Sequence, residues 1–337
     1  RTTRNAQIDQ LLASAGWASA ARTPIAVDAS IRRYERLCLP DGRSAILMDA
    51  SPERGEDVRP FIEMARFLNR AGLSAPIVQE QNVRLGLLII EDFGDALFAD
   101  LIASDPAIER HLYRQAADVL VHLQSVEPPP LEICDQAWLT HMVSPVFEWY
   151  APNIIPAEIS QFETIFKPLT LSAVVSRPVT ILRDFHVQNL MLLPDRKGVA
   201  QIGVLDFQDA MLGHPAYDLV SILQDARRTV PASIEVEILE YFLNQTRYDE
   251  TCFKTAYAVL GLQRNLRILG IFARLCIRDG KPEYIDHIPR VWDYIQRNLA
   301  HGNLTQLSAQ IGSILPPPNP AYLEYLKSKC PHHLTLP

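Results

Sequence analysis

The spacing of apolar residues along the chain changes character near residue 91. Ahead of that point it is mostly a two-residue alternation in short runs, and beyond it the three- and four-residue spacing of helices dominates. Residues 32–39 alternate and residues 44–49 return, with Pro40-Asp41-Gly42-Arg43 between them. Proline presets the first turn position and Asp and Gly favour the others, so this stretch predicts a hairpin. Residues 57–70 place Phe61, Met64, Ala65 and Leu68 at helical spacing, and Gly72 follows as a C-cap. Residues 77–78 and 85–90 predict two more strands, and residues 5–15 a short amphipathic helix ending at Gly16. Residues 25–90 are therefore expected to form a small antiparallel sheet with one helix inserted.

Helices are predicted over 106–125, 136–149 and 156–170, and through most of 215–300. Glu127-Pro128-Pro129-Pro130 separates the first two. Between them and the last group lie two apolar runs, Val179-Thr180-Ile181-Leu182 and Ile202-Gly203-Val204-Leu205, flanking a polar loop and a short hairpin. Leu315-Pro316-Pro317-Pro318-Asn319-Pro320 is expected to end the packed body, and the residues beyond, with His332 and His333, to form a loose tail. The expected architecture is α+β. A small sheet-rich lobe, residues 1–92, is joined by one crossing strand to a larger helical lobe, residues 93–337, leaving a cleft of the kind that holds small ligands.

A length of 337 residues suffices for two such lobes. The formal net charge of −7, with the basic residues dispersed, argues against nucleic acid as a partner. No apolar run reaches the roughly 18–20 residues needed to cross a bilayer. The first residues, RTTRNAQIDQLLASAG, lack the continuous apolar core of a secretory signal. The five cysteines include no CxxC pair, and their number is odd. They predict reduced thiols in a cytoplasmic protein, not a disulfide framework or a zinc site.

The polar loop, LRDFHVQN at residues 182–189, holds Asp184, His186 and Asn189, and Asp206 and Asp209 follow the next apolar run. Phosphoryl transfer asks for a carboxylate that orients the attacking hydroxyl, and for hard oxygen ligands to magnesium. Asn189 and Asp206 supply such oxygens, leaving Asp184 as the orienting base; the three are expected to converge on one cation. An acid, then an Asn five positions on, then a hairpin, then an acid after an apolar strand is the layout of kinases. The bland alternative is that Asp184 and Asn189 are turn residues bonding their own backbone.

These residues resemble the aminoglycoside phosphotransferase branch of the protein-kinase-like superfamily. There the first motif reads HGDLHxxN; Leu182-Arg183 replaces His-Gly, and His186 falls on the motif's second histidine. Gly213-His214-Pro215-Ala216-Tyr217-Asp218-Leu219 is similar to the branch's following G-x-P-x-x-D-L segment, whose aspartate buttresses the catalytic loop. Asp28-Ala29-Ser30-Ile31-Arg32-Arg33-Tyr34, Leu88-Ile89-Ile90-Glu91-Asp92-Phe93-Gly94-Asp95 and Asp206–Pro215 look like one subgroup. Its members are bacterial cell-wall sugar kinases that phosphorylate the anomeric hydroxyl of N-acetylmuramate and N-acetylglucosamine. The resemblance implies a two-lobed kinase-like fold, ATP and Mg2+ as cofactors, an amino-sugar substrate and a place in peptidoglycan recycling. It implies that Asp184 is catalytic, that Asn189 and Asp206 hold metal, and that Glu91 and Phe93 in the hinge meet the nucleotide.

Two departures stand out. Met48 occupies the strand position where kinase-like proteins carry a phosphate-binding lysine, and the glycine-rich phosphate loop is absent. Ser30 and one of the neighbouring arginines, with Arg33 the expected one, are assigned to phosphate instead, since arginine binds phosphate bidentately. Glu63, the helix partner of the missing lysine, either pairs with such an arginine or faces water. His186 and Asp209 are candidates for the sugar, with bracing the loop and capping a helix as their alternatives. Arg264, Arg267, Arg274 and Arg278 share one helical stripe, and Arg227-Arg228 adds the same sign. A solvated basic face is one reading. The other turns Arg264 and Arg267 toward an acidic acceptor, which suits N-acetylmuramate and not a polycationic aminoglycoside. An aminoglycoside or small-alcohol kinase, an ATP-binding pseudokinase, and a metal-dependent hydrolase using Asp184, His186, Asp206 and His214 are the competing functions.

Overall fold

The computed structural model describes residues 3–25 and 31–331. In chain order the regular elements are α1 (Arg4–Ser14), β1 (Ala21–Ile25), β2 (Arg33–Cys38), β3 (Ser44–Asp49), α2 (Arg59–Arg70), β4 (Val78–Asn82), β5 (Leu87–Glu91), α3 (Phe98–Ser104) and α4 (Glu109–Leu123). There follow α5 (Gln136–His141), α6 (Pro156–Leu169), β6 (Val179–Ile181), β7 (Leu190–Leu192), β8 (Ile202–Val204) and β9 (Met211–Gly213). The chain ends in α7 (Ala216–Leu223), α8 (Ala232–Gln245), α9 (Glu250–Ile277), α10 (Ile288–Leu299), α11 (Thr305–Ile314) and α12 (Pro320–Ser328). It divides into two compact units, residues 1–119 with 187–210, and residues 120–186 with 211–337. The expected lobe boundary at 92/93 lies inside the first unit.

The first unit is built on a five-stranded antiparallel sheet of order β1-β2-β3-β5-β4. The Pro-Asp-Gly turn joins β2 to β3 as expected, with Gly42 in the left-handed region at φ 89°. Ile8, Leu11 and Leu12 of α1 share a core with Leu37, Ala45, Leu47, Leu87 and Ile89. The alternate residues Ile46, Met48, Leu88 and Ile90 point to the other face, and they too are buried. Burial on both faces is why β5 reads as a continuous apolar run. The β7–β8 hairpin belongs to this unit: Ser74 bridges Gly203, Leu97 bridges Met191, and the Ser74 hydroxyl donates to the Ala200 carbonyl.

The second unit is mainly helical and carries the two-stranded β6–β9 ladder. Its axis is α9, whose 28 residues span about 42 Å and pack against α7 and α10. Gly270 makes one close approach possible: a Cβ there would lie 2.1 Å from the Pro145 carbonyl carbon. Where α7, α8, α9 and α10 meet, a buried polar network replaces apolar packing. The Gln224 amide donates to Glu235 (3.0 Å) and Asn298 (3.2 Å), and Gln224 Oε1 accepts from Asn265 and Asn298, each at 2.8 Å. Tyr257 and Arg297 complete the coordination of the Glu235 carboxylate.

The structure corrects several expectations. The region after Pro320 is not a loose tail as far as residue 331. Asn319 caps α12 by accepting from the Tyr322 N–H at 2.9 Å, Leu326 is buried, and the Tyr322 hydroxyl donates to the Tyr150 carbonyl. Asn followed by Pro is a helix-start signal that the proline run masks. His332 and His333 lie outside the described residues. The predicted helix 136–149 is interrupted: α5 stops at His141, and a single π turn, Val146–Tyr150, follows Pro145. β1, α3 and β9 were not anticipated. β1 is almost entirely exposed and contains Pro24, so it carries no alternation to read. Among the described residues no helix is long and apolar enough to cross a membrane.

Gly270→Ala is expected to lower unfolding stability by about 2–3 kcal/mol, because the obstacle is backbone. Gly312→Ala, on the exposed side of α11 with nothing within 4 Å, is expected to add about 0.5–1 kcal/mol. Urea unfolding of the two variants checks the contrast.

Candidate active site

The loop that leaves β6 is fixed by one buried carboxylate. Asp218 Oδ2 accepts the Leu182 N–H at 2.7 Å and Asp218 Oδ1 accepts the Arg183 N–H at 2.9 Å. One turn along α7 the Ser221 hydroxyl donates to the Arg183 carbonyl at 3.0 Å. These bonds hold Arg183 in the left-handed region at φ 70°, a conformation that costs a non-glycine residue of order 1–3 kcal/mol. Its guanidinium lies over the Trp138 ring, 5.2 Å from the centroid. Asp184 then follows with a partly exposed side chain, between residues anchored by Asp218 and the buried Phe185 and His186. Burial raises the Asp218 pKa to about 6, against the two N–H bonds and Arg264, which lower it.

His186 is 6% exposed, and its Nε2 faces the Arg227 guanidinium at 3.4 Å. Arginine only donates, so Nε2 is the acceptor and the imidazole is neutral. Burial lowers the His186 pKa to about 4, so it stays neutral near pH 7. His214 is a second buried imidazole, also lowered to about 4 by burial, and its Nδ1 accepts the Ala216 N–H at the start of α7. The lone pair of each neutral ring is thus already engaged, and among the described residues no group of three or more His, Cys, Asp or Glu could hold a metal ion.

In the first unit, Asn189 and Asp206 stand at the same end of the β7–β8 hairpin. The ladder pairs Leu190 with Val204 and continues through the Leu205 N–H to the Asn189 carbonyl at 2.9 Å. Asp206, exposed, has φ 55°; it and Arg183 are the two non-glycine residues with positive φ among those described. Its Oδ1 accepts from the Gln208 amide at 2.6 Å, while Phe207 is buried with its ring 4.9 Å from that of Phe61. Asp209 is exposed nearby in sequence.

The remaining expected residues fall as follows. The Glu91 carboxylate pairs with Arg196, and the Glu91 N–H donates to the Ile77 carbonyl at 2.9 Å. The Arg196 guanidinium sits 5.3 Å from the centre of the Phe93 ring, which presses on Gly203 so closely that a Cβ there would lie 2.7 Å from it. Arg33 pairs with the buried Asp49 at 2.8 Å, and Arg4 holds the same carboxylate. Ser30 lies outside the described residues, and Glu63 is exposed. Arg32 pairs with Glu56 at 2.7 Å and hydrogen-bonds Tyr34, whose pKa burial raises and on which Asp206 acts electrostatically. Tyr34 stands opposite the buried Met48, the position of the missing lysine. Sequence reasoning passed over Tyr34 and Glu56, although strand alternation already separates Arg32 and Tyr34 from Arg33.

Arg264 and Arg267 project from α9 in the second unit, Arg264 buried and Arg267 partly so. Arg278, at the far end of the stripe, is exposed and pairs with Asp279. A separate cavity of about 400 Å³, lined by Gln124, Arg177, Val179 and Tyr248, holds none of the expected residues.

Residues 22–252 match the model of the phosphotransferase enzyme family. The chain belongs to that family. This phosphotransferase is 35% identical, over 93% of its own length and 97% of the relative's, to a Caulobacter vibrioides protein named N-acetylmuramate/N-acetylglucosamine kinase. Among solved structures it resembles a choline/ethanolamine kinase family protein from Mesorhizobium loti, with TM-score 0.61 and 11% identity over 97% of this chain and 100% of that one. It also resembles an aminoglycoside phosphotransferase from Streptomyces rimosus in complex with ADP and streptomycin, with TM-score 0.51 and 17% identity over 76% of this chain and 97% of that one. The phosphotransferase thus has the protein-kinase-like fold, with a small antiparallel sheet in its N-terminal part and a mainly helical C-terminal part.

Asp218→Asn keeps one acceptor and sets an amide N–H₂ against a backbone N–H. The turnover number of this variant is expected to fall at least ~10-fold. In the native protein protonation below about pH 6 removes the same acceptor, so the rate is expected to fall as pH drops through that value. A pH–rate profile of both proteins checks this: the acid limb assigned to Asp218 is absent in the variant.

Proposed function

We propose that this phosphotransferase is an ATP-dependent, magnesium-using kinase of the anomeric hydroxyl of an amino sugar, N-acetylmuramate or N-acetylglucosamine. The observation that carries the reading is the catalytic-loop aspartate, Asp184, in a loop pinned by Asp218, in a chain whose near-full-length relative bears that kinase name. The ADP bound by the Streptomyces rimosus enzyme supports a nucleotide as donor. A sugar 1-phosphate as product fits peptidoglycan recycling, and a reaction that consumes ATP fits a cytoplasmic location.

Asp184 accepts the proton of the 1-hydroxyl while the sugar oxygen bonds to the γ-phosphorus and the bond to the β-bridging oxygen breaks, releasing ADP. The strained, braced loop serves orientation: it leaves this carboxylate few rotational choices before the acceptor arrives. The fit to magnesium rests on the donor set. Asn189 and Asp206 offer one amide oxygen and one exposed carboxylate on the same hairpin end, hard oxygens of the kind magnesium takes with phosphate and water oxygens. When bound there, the ion would offset the charge of the nucleotide phosphates. Arg32 and Arg33 are the cations assigned to those phosphates, with Arg32 favoured by its tie to Tyr34 beside Met48. Glu91 and Phe93 would meet the adenine through their backbone. His186, neutral and bonded to Arg227, braces the loop.

Turnover with Mg·ATP is expected for N-acetylmuramate and N-acetylglucosamine, with a 1-phosphate seen by phosphorus NMR. Turnover confined to kanamycin, choline or homoserine would overturn the acceptor assignment, and ATP binding without turnover of any acceptor would leave a pseudokinase. Asp184→Asn is expected to keep ATP affinity while the turnover number falls at least ~100-fold; a near-native rate would remove Asp184 from its role.

A further inference from the structure

Among the described residues, Arg264 and Arg267 of the second unit make no ion pair. Arg264 is 8% exposed, yet among the described residues its guanidinium makes no ion pair, and its Nε has no hydrogen-bond partner. Arg267, three residues along α9 and so on the same face, likewise makes no ion pair with a described residue. A buried guanidinium without an anion is costly, and such groups are normally paired. Here the surroundings add to the cost: burial lowers the Arg267 pKa, and Arg183 and Arg264 lower it further as like charges. The carboxylates within electrostatic reach are already committed. Asp218 acts on Arg264 but accepts two backbone N–H bonds, and Asp184 acts on Arg267 but belongs to the transfer step. The Tyr217 hydroxyl, buried beside Arg267, has no hydrogen-bond partner either. Three donor groups, Arg264, Arg267 and the Tyr217 hydroxyl, in electrostatic reach of one another and of Asp184, describe a site that awaits an anion.

We propose that Arg264 and Arg267, with the Tyr217 hydroxyl, bind the carboxylate of the acceptor sugar and so make this enzyme prefer an acid-bearing amino sugar over its neutral counterpart. The inference rests on the amino-sugar reading above and deepens it. A carboxylate matches the planar fork of arginine bidentately. The transferring phosphoryl group is the other anion that could meet these arginines. The carboxylate is preferred because Arg264 and Arg267 rise from the helical unit that carries Asp184, whereas the residues assigned to the nucleotide belong to the other unit. Neutral sugar leaves both guanidinium groups unpaired and so pays the desolvation that the acid relieves.

The test compares kcat/KM of the full-length protein for N-acetylmuramate, its methyl ester and N-acetylglucosamine. The native enzyme is expected to lose at least ~10-fold on esterification, chiefly in KM. In Arg264→Met and Arg267→Met the ratio of N-acetylmuramate to N-acetylglucosamine is expected to fall at least ~10-fold. Equal losses with both sugars would assign the arginines to the phosphoryl group and overturn the proposal, as would an ester handled as well as the acid. Because a buried cation among like charges destabilises the free protein, the ligand-free Arg267→Met variant is expected to melt at a higher temperature; a lower one marks a structural arginine and counts against the proposal. Failure of the amino-sugar reading itself is distinct: neither sugar is then turned over by the native protein.

Discussion

Two backbone N–H groups ending on the one carboxylate of Asp218 are the constraint on which the local geometry of the loop after β6 depends. These two bonds, with that of Ser221 to the Arg183 carbonyl, favour the left-handed conformation of Arg183 and so the direction in which Asp184 leaves the strand. The carboxylate is costly to bury, and burial alone pushes it toward protonation. Its cost is offset by the bonds it accepts and by Arg264. The same residue therefore links the loop backbone to the charge of α9. Ser221, a turn further on, ties the Arg183 carbonyl to the same helix, so three loop dipoles are read by one face of α7.

Much of this was legible in the sequence, and the failures have physical causes. The hairpin around Gly42, the helix before Gly72 and the polar loop were readable because turn chemistry and periodicity are local. The family's aspartate at 218 was readable from its motif, but its bonding to residues 36 positions away was not. β1 was invisible because an exposed edge strand containing proline has no pattern. α12 was hidden behind a proline run whose last member begins the helix. The choice between Arg32 and Arg33 was open to strand alternation. The pairing of Arg32 with Glu56, a loop residue, is purely tertiary and was not readable.

The α9 helix shows a related division of labour. At Gly261 and Gly270 it has surrendered side chains so that Asn298 and the backbone at Pro145 can approach. Between those two positions lie Arg264, Asn265 and Arg267. Asn265 is locked into the Gln224–Asn298 network, which fixes the rotation of the helix about its own axis. The arginines on either side inherit that rotation. A buried polar network thereby sets the direction of two charges.

The first 166 residues contain no lysine, and Met48 fills the strand position with a buried thioether. Reagents that profile kinases by acylating an amine beside the nucleotide phosphates need that amine as their nucleophile, and guanidinium groups do not replace it at neutral pH. Such a reagent finds no amine on that strand of this protein.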